Sequence, residues 1–191
     1  MIQSVDGYGA GPGGDVMAMP MDAAFDEHNA ERMRAAGTVL LGATTYRTFL
    51  GFWPAALGDE GMTPGSREIA ERWASDLPRV VVSDRMTAED TGPWRRTTRI
   101  VRRADAHAAV AELRAGEGGD VLVFGSRTLW NDLLRAGLVD ELHLMVGPRL
   151  VAGDAPLLAR LGVRRDLRLL GVRRWPGSDN VVLSYALDAT G

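Results

Sequence analysis

Short apolar runs alternate with segments of helical periodicity along most of this chain. The clearest stretch is 120–148, where an uncharged apolar run at 121–124 is followed by Gly125 and then by leucines at helical spacing. Gly137 stops the helical pattern, and an extended apolar pattern resumes after it. The pattern predicts a buried strand, a tight turn, a helix, a second turn and another strand.

The rest of the pattern predicts strands alternating with helices and a closing pair of strands. Predicted helices cover 25–36, 45–50, a segment capped by Ser66 that runs through Trp73, and 105–115. Predicted strands cover 38–41, 79–82, 98–101, 166–174 and 180–187, with a turn at 175–178 between the last two. This alternation favours an α/β fold with a mostly parallel sheet, helices on both faces and an antiparallel edge. Because we find no repeat and no linker, we expect one domain over residues 1–191.

Composition and charge narrow the chemistry that this fold can carry. The chain has 191 residues and a net charge of −3, so no overall field attracts nucleic acid or an acidic membrane. It has no cysteine, and all 22 basic residues are arginine, which excludes disulfides, thiolate nucleophiles and lysine Schiff bases. His28, His107 and His143 lack ligand spacing, so we predict no metal. The N-terminal segment lacks the basic and apolar regions of a signal peptide, so we expect a cytoplasmic protein without a membrane partner.

Four loops follow predicted strands and share small residues, hydroxyl groups and arginine. They are 4–7, 42–45, 83–85 and 125–128. Ligands of open α/β sheets bind outside the carboxyl ends of strands, where backbone N–H, hydroxyl and guanidinium groups donate to phosphate oxygens. We therefore predict a dinucleotide site at these loops; the alternative is that each turn needs glycine only for its conformation. The loop 11–14 resembles a phosphate loop only by glycine content, and we interpret it as a mobile loop beside the site.

Four motifs follow one another along nearly the whole chain. Residues 4–8 are S-V-D-G-Y, residues 40–46 are L-L-G-A-T-T-Y, residues 80–83 are V-V-V-S, and residues 124–142 run from F-G-S to L-V-D-E-L. In this order they resemble the motifs S-L-D-G-Y, L-x-G-R-x-T-Y, V-V-x-S and G-S-x-x-L…L-L-x-x-G-L-V-D-E-L. These motifs belong to the dihydrofolate-reductase-like superfamily, and within it to the family containing the reductase domain of bacterial riboflavin biosynthesis.

The resemblance implies a three-layer α/β/α fold, with a mostly parallel central sheet and an antiparallel C-terminal hairpin, and an NADPH-dependent reductase. It implies that the Gly42 and Gly125 turns hold the cofactor phosphates, with the Ser83 loop near the 2′-phosphate. The cofactor-binding residues that it predicts are Gln3, Gly42, Ala43, Thr44, Thr45, Ser83, Arg85, Gly125, Ser126, Arg127, Thr128 and Leu129. It also implies a homodimer formed through the C-terminal strands.

Three departures from the family pattern affect these expectations. Ala43 stands where the family usually has arginine, so NADH is an alternative to NADPH, and Arg85 is either a replacement or a solvated surface arginine. Phe124 stands where the flavin-pathway enzymes commonly have an acid that contacts the substrate, which weakens the prediction of their aminouracil substrate. Only residues 1–3 precede the first motif, where the family has a longer strand, so either the natural start lies upstream or the strand is shortened, and in the second case we expect compensation for lost strand pairing.

Reduction also needs a proton, and a carboxylic acid in an apolar pocket is a suitable relay because burial raises its pKa. Asp26 is the first candidate and Asp6 the second. The alternatives are a first-turn helix carboxylate for Asp26 and a turn residue for Asp6. Phe52 and Trp53, in the loop after the helix at 45–50, are with Phe124 candidate substrate contacts; the alternative is core packing.

Three functions remain open at this point, each with a small-molecule partner. The favoured one is NAD(P)H-dependent hydride transfer to a small heterocycle, imine or carbonyl. The second is reduction of 5-amino-6-(5-phosphoribosylamino)uracil in riboflavin biosynthesis. The third is non-catalytic nucleotide binding by a protein of the same fold.

Overall fold

The structure is a computed structural model that describes residues 1–158, 162 and 164–187. Its helices are α1 (Ala23–Ala35), α2 (Ala43–Ala56), α3 (Pro64–Ala74), α4 (Ala106–Ala115) and α5 (Arg127–Arg135). Its strands are β1 (Ile2–Ser4), β2 (Ala36–Gly42), β3 (Arg79–Val82), β4 (Thr98–Val101), β5 (Asp120–Val123), β6 (Glu141–Gly147), β7 (Leu167–Arg174) and β8 (Val181–Leu187). In the part of the chain that is described, no helix is long and apolar enough to cross a membrane.

Internal contacts divide the chain into two units. Unit 1 comprises Met1–Phe25 and Trp130–Gly191, and unit 2 comprises Asp26–Leu129. Unit 2 contains a parallel sheet in the order β4-β3-β2-β5. Unit 1 contains a mixed sheet in the order β1-β6-β8-β7, in which only β1 and β6 are parallel. The predicted α/β fold, with parallel strands and an antiparallel C-terminal hairpin, is therefore confirmed.

The core of unit 2 explains why β2 and β3 contain apolar runs. Val39 and Leu41 of β2 are fully buried, and so is Val81 of β3. Helices α2 and α3 cover these strands with aromatic side chains, among them Tyr46 and Trp73. Burial of such side chains contributes about 1.5–3 kcal/mol each, so this layer fixes the β2 and β3 ends that carry the candidate loops.

A buried cation lies beside this aromatic layer. The Arg79 guanidinium packs over the rings of Trp73 and Trp94, at 5.3 Å and 4.6 Å from the ring centroids. It also donates to the carbonyl oxygens of Trp73 and Leu77. Burial lowers the pKa of Arg79 to about 10, so the group stays charged at neutral pH. Its contacts tie the start of β3 to the end of α3.

Unit 1 shows how the short first strand is held. Its three residues pair with the end of β6, from Ile2 opposite Met145 to Ser4 opposite Gly147. On the other side of β6, strand β8 pairs along six positions, and β7 then forms the edge of the sheet. The turn between β7 and β8 lies at the predicted position, closed by a bond from the Ser178 N–H to the Trp175 carbonyl at 3.2 Å.

Two predictions about helix ends were wrong. Helix α2 runs to Ala56, past the predicted end at residue 50, so Phe52 and Trp53 lie in the helix and not in a loop. A glycine inside a helix costs only about 1 kcal/mol, and the packing of Trp53 on the core outweighs the cost at Gly51. The cap of α3 is Thr63 and not Ser66, because the Thr63 hydroxyl accepts the Ser66 N–H at 3.1 Å.

Candidate functional site

Two strand-end turns of unit 2 are joined by reciprocal hydrogen bonds. The Gly42 N–H, at the end of β2, donates to the Ser126 hydroxyl at 2.8 Å. The Ser126 N–H, after β5, donates to the Thr45 hydroxyl at 3.0 Å. Because β2 and β5 are parallel neighbours, their carboxyl ends meet at one edge of the sheet. The structure thus brings together the two turns that the sequence predicted as phosphate sites.

The second of these turns needs its glycine for conformation. Gly125 has a φ of 53°, and a Cβ there would lie 3.0 Å from the Thr45 side chain. Ser126 also has a positive φ of 49°, which residues with a side chain adopt uncommonly. Its two bonds to Gly42 and Thr45 hold it in that conformation.

Gly42 has a different reason to be glycine. Its φ of −84° and ψ of 158° are open to any residue. A Cβ at Gly42 would meet only the Ser126 side chain, at ordinary contact distances of 3.6 Å and 3.8 Å. The folded chain itself therefore tolerates a larger residue at this position. Close approach of a ligand to the backbone is a physical reason for a glycine that the fold does not require.

The start of α2, directly after Gly42, is an uncapped helix N-terminus. No side chain at the cap position accepts a hydrogen bond from the first turn. The N–H groups of Ala43, Thr44 and Thr45 have no acceptor within the helix, and they lie at the positive end of the helix dipole. An anion placed there would accept from these groups, so the geometry suits a phosphate.

The first turn of α5 completes the edge. Leu129 N–H donates back to the Ser126 carbonyl at 2.8 Å, so that amide is used within the turn. Arg127 and Thr128 are exposed at the start of the helix. Of the predicted cofactor residues Arg127, Thr128 and Leu129, the first two therefore have exposed side chains.

The loops after β3 and β4 form a basic rim. Ser83 is buried, and its hydroxyl accepts the N–H groups of Arg85 at 3.2 Å and Met86 at 3.0 Å, which shapes the turn. The Arg103 N–H donates to the Asp84 carboxylate at 3.0 Å, and the Arg102 guanidinium donates to the Asp84 carbonyl.

Arg102 and Arg103 were not among the predicted site residues, yet both contact Asp84 beside the Ser83 loop. They follow β4 directly, so the rule that ligands bind at carboxyl ends of parallel strands would have found them. With exposed Arg85, they give this rim three cations against the two carboxylates of Asp84 and Asp105.

Asp26 forms a hydrogen bond that links the start of α1 to the start of α3. Its carboxylate, in the first turn of α1, accepts the Thr63 hydroxyl at 2.6 Å. Thr63 is the cap of α3, and a Cβ on Gly65 would lie 2.7 Å from the Asp26 carbonyl carbon. This contact links the first turn of α1 to the cap of α3, and proton transfer by Asp26 stays a prediction.

Asp6, in unit 1, is an exposed loop anchor. Its carboxylate accepts the N–H groups of Val151 and Ala152 at 2.9–3.2 Å. A hydrogen bond from the Ser4 side chain, followed by that from Ala152, lowers the pKa of Asp6 below its ordinary value of 3.8. The lowered pKa and the exposure of Asp6 both disfavour it as a proton donor at neutral pH.

The predicted substrate residues of unit 2 divide between surface and core. Phe52 is about half exposed and meets the Trp53 ring edge-on at 4.9 Å. Phe124 packs edge-on against Phe49 of α2 at 6.4 Å and borders the aromatic core. Gln3, the predicted nicotinamide contact, lies in β1 of unit 1 opposite Val146.

Comparison with known proteins gives the chain a family profile and a set of structural neighbours. The sequence profile of the RibD C-terminal domain matches residues 1–181. No curated protein sequence matches the chain. A protein from Shewanella sp. PV-4 ascribed to riboflavin biosynthesis superimposes with a TM-score of 0.70 and 19% identity, over 98% of this chain and 96% of that protein.

Two further solved structures share the fold. The diaminohydroxyphosphoribosylaminopyrimidine deaminase/5-amino-6-(5-phosphoribosylamino)uracil reductase of Thermotoga maritima gives a TM-score of 0.64 at 14% identity, over 98% of this chain and 55% of that enzyme. Dihydrofolate reductase from Enterococcus faecalis, complexed with NADP(H) and RAB-propyl, gives 0.53 at 14% identity, over 98% and 93%. The chain therefore spans about half the length of the Thermotoga enzyme.

Proposed function

The chain belongs to the RibD C-terminal domain family, and from this premise we propose that it is an NAD(P)H-dependent reductase. Its substrate is a small heterocycle, imine or carbonyl compound. The match over residues 1–181 and the fold shared with solved reductases support the reaction class. Reduction of 5-amino-6-(5-phosphoribosylamino)uracil is the second candidate, favoured by the name of the Thermotoga neighbour.

The start of α2 carries the cofactor part of the proposal. A Cβ at Gly42 would make only ordinary contacts with the Ser126 side chain, and the α2 N-terminus offers N–H groups without a capping side chain. Under the proposal, Ala43, Thr44 and Thr45 donate to the cofactor pyrophosphate, with Thr128 and Arg127 at the neighbouring helix start. When bound, the reduced nicotinamide supplies the hydride. The protein's part is to hold the cofactor and the substrate in the reacting geometry and to exclude water.

The basic rim supports NADPH over NADH. Ala43 removes the arginine that the family pattern has in this turn, but Arg85 and Arg102 lie at the neighbouring strand ends. Arginine binds phosphate through several donors, so this rim suits the 2′-phosphate that distinguishes NADPH from NADH. We propose NADPH as the preferred cofactor, with NADH as the weaker alternative.

Proton delivery has two carboxylate candidates, Asp6 and Asp26. Asp6 is ionised and anchors a loop, while Asp26 stays the candidate by its sequence position. The Asp26 bond to Thr63 supports a structural role instead.

Thermal unfolding with each dinucleotide tests the proposed function. A ligand at 100 times its Kd stabilises the folded state by about 2.7 kcal/mol, which raises the melting temperature measurably. We expect a shift with NADPH that exceeds the shift with NADH, followed by NADPH oxidation in the presence of a reducible heterocycle. No shift with either dinucleotide would contradict the cofactor assignment. Binding without turnover across substrates would favour the non-catalytic alternative.

The edge of the unit 1 sheet supports a homodimer as part of the proposal. Strand β7 pairs only with β8 among the described strands, and its Leu169 and Val172 side chains are more than half exposed. An apolar unpaired edge is stabilised by pairing with a second copy across a two-fold axis. Sedimentation should give the mass of two chains, and Val172→Lys should shift it to one; a wild-type monomer would contradict the proposal.

A further inference from the structure

Three polar side chains of the unit 1 sheet form a hydrogen-bonded series that the proposed reductase reaction does not use. The Ser184 hydroxyl lies 3.1 Å from Nδ1 of the His143 ring. Nε2 of the same ring lies 3.0 Å from the Glu141 carboxylate. A hydroxyl, a base within hydrogen-bond reach of it and a third group that orients the base are the arrangement that activates a serine as a nucleophile.

The register of the strands produces this alignment. His143 of β6 stands directly opposite Ser184 of β8, so the two side chains share one face of the sheet. Glu141 lies two residues before His143 on β6, and side chains two residues apart in a strand point to the same face. Because all three side chains are carried by paired strands, the sheet holds them in fixed relative positions, as a catalytic site requires.

The hydrogen bonds set the direction of proton transfer. An ionised carboxylate can only accept a hydrogen bond, so the bond to Glu141 places the ring proton on Nε2. In the neutral ring Nδ1 is then an acceptor, and the Ser184 hydroxyl donates to it. His143 is thus placed to take the hydroxyl proton, and Glu141 is placed to stabilise the imidazolium ion that forms.

Strand β7 leaves room on the other side of Ser184. Gly171 stands opposite Ser184, and no atom of the described residues comes within 4 Å of a Cβ built on this glycine. The register of β7 shifts between Leu169 and Gly171, which makes Leu170 an extra residue of the strand. A bulge takes its extra residue out of the hydrogen-bond ladder, and bulges are frequent beside active sites. With 22% of the His143 side chain exposed, the pair of Ser184 and His143 is open to solvent and not sealed in the core.

We infer that Ser184, His143 and Glu141 form a second catalytic site, which hydrolyses small carboxylic esters through an acyl-serine intermediate. The Ser184 oxygen attacks the ester carbonyl carbon while His143 takes the hydroxyl proton, and the alcohol leaves with that proton as its C–O bond breaks. Water then attacks the acyl group, His143 takes a proton from the water and returns it to the serine oxygen, and the carboxylic acid leaves. The backbone at the Leu170 bulge is the hydrogen-bond donor for the oxyanion. This reaction uses no dinucleotide and is independent of the proposed reductase function.

A fluorophosphonate probe tests the nucleophile in the full chain. Attack by Ser184 forms an O–P bond and expels fluoride, and mass spectrometry locates the adduct in the tryptic peptide that begins at Trp175. Ser178 lies in the same peptide and is the internal control, because its hydroxyl donates to the Asp22 carboxylate at 2.6 Å and not to an imidazole. We expect an adduct at Ser184 in the folded protein and none after heat unfolding. Absence of that adduct, or equal labelling of Ser178, would overturn the inference.

Substitutions of the other two groups test their roles, with the labelling rate and the hydrolysis of p-nitrophenyl acetate as readouts. The side chain in His143→Gln still forms hydrogen bonds but takes no proton, so both rates should fall at least about 100-fold. Glu141→Gln should lower both at least about tenfold. Because the Glu141 side chain is 53% exposed, this variant tests the site even if His143→Gln does not fold. His107→Gln, on exposed α4 surface of unit 2, is the matched control and should keep both rates. Wild-type rates in Glu141→Gln or in a folded His143→Gln would overturn the inference.

Ser184→Ala separates this activity from the reductase. It should remove the adduct and the ester hydrolysis, while the melting temperature and its shift with NADPH stay at the wild-type values. Ester hydrolysis at the wild-type rate in Ser184→Ala would overturn the inference. Failure of the wild-type protein to bind NADPH would instead contradict the proposed reductase and leave the ester result readable.

Discussion

Replacing Gly42 by alanine should separate cofactor binding from folding. The Gly42 backbone lies in the extended region, and an added Cβ would touch only the Ser126 side chain at 3.6–3.8 Å. Under the proposal the pyrophosphate approaches the backbone at Gly42, so a methyl group added there should hinder that approach. The variant should therefore fold normally and bind NADPH poorly.

The two effects have different expected sizes. At a helix cap, alanine lowers the free energy of unfolding by about 0.5–1 kcal/mol relative to glycine. Replacing glycine also restricts the unfolded chain, which raises the free energy of unfolding by about 0.4–1 kcal/mol. The free energy of unfolding of Gly42→Ala should thus stay within about 0.5 kcal/mol of wild type. Loss of one hydrogen bond to a charged group costs about 1.5–3 kcal/mol. The Kd for NADPH should therefore rise about 10- to 150-fold.

Gly51→Ala is the matched control on the same helix. Gly51 has no atom within 4 Å of an added Cβ and lies inside α2, so alanine there should stabilise the fold by about 0.5–1 kcal/mol. Its Kd for NADPH, measured by calorimetric titration, should equal that of wild type. If Gly42→Ala bound NADPH with wild-type affinity, the proposed cofactor site at the start of α2 would be refuted. If that variant lost much of its stability, the claim that folding does not require glycine at this position would be refuted.

Three further substitutions test the rest of the site. Ser126→Ala leaves the Gly42 N–H without its acceptor, so the free energy of unfolding in urea should fall by about 1–2 kcal/mol, and NADPH should bind more weakly. An unchanged free energy of unfolding would contradict a stabilising bond between the two turns. Asp26→Asn should lower stability by about 1 kcal/mol through its bond to Thr63 and leave kcat within about threefold; a hundredfold loss of kcat at unchanged stability would make Asp26 the proton relay. Burial acts to raise the pKa of Asp22, but bonds from Ser178, Phe25 and Asn180 outweigh it and lower that pKa. Because the folded pKa is depressed, this stabilisation is present above about pH 4 and is lost as pH falls through the folded value. Asp22→Asn should therefore flatten the fall of melting temperature in acid, and an unchanged slope would contradict the assignment.

Strands β2 and β3 of unit 2 could be predicted from sequence because each contains a short apolar run that is largely buried. The end of α2 could not be predicted in this way. A local rule ends the helix before Gly51, whereas the packing of Trp53 on the core favours a helix that continues to Ala56. The cap of α3 was misplaced for a related reason. Ser66 and Thr63 are both good caps in isolation, and Pro64 at the first helical position selects Thr63.

The candidate site was predictable in position but not in its bonds. A glycine between a strand and a helix locates each turn, which is a property of about five consecutive residues. The bond from Gly42 to Ser126 joins residues 84 apart and depends on β2 pairing with β5 across the sheet. Asp6 shows the same limit, because the N–H groups that make it an anchor lie 145 and 146 residues further along the chain.

Glycine content alone therefore does not decide whether a loop binds phosphate; the chain's own acceptors decide it. Gly13 and Gly42 both follow strands in glycine-containing segments, and either would match a loose phosphate-loop pattern. At Gly13 the carboxylate of Asp154 already accepts the N–H, so a phosphate would have to displace an anion and lose a charge-assisted bond. After Gly42 the helix begins without a capping side chain, so a phosphate would gain donors that nothing else in the first turn satisfies. We therefore expect phosphate to bind at the start of α2 and not at the Gly13 loop.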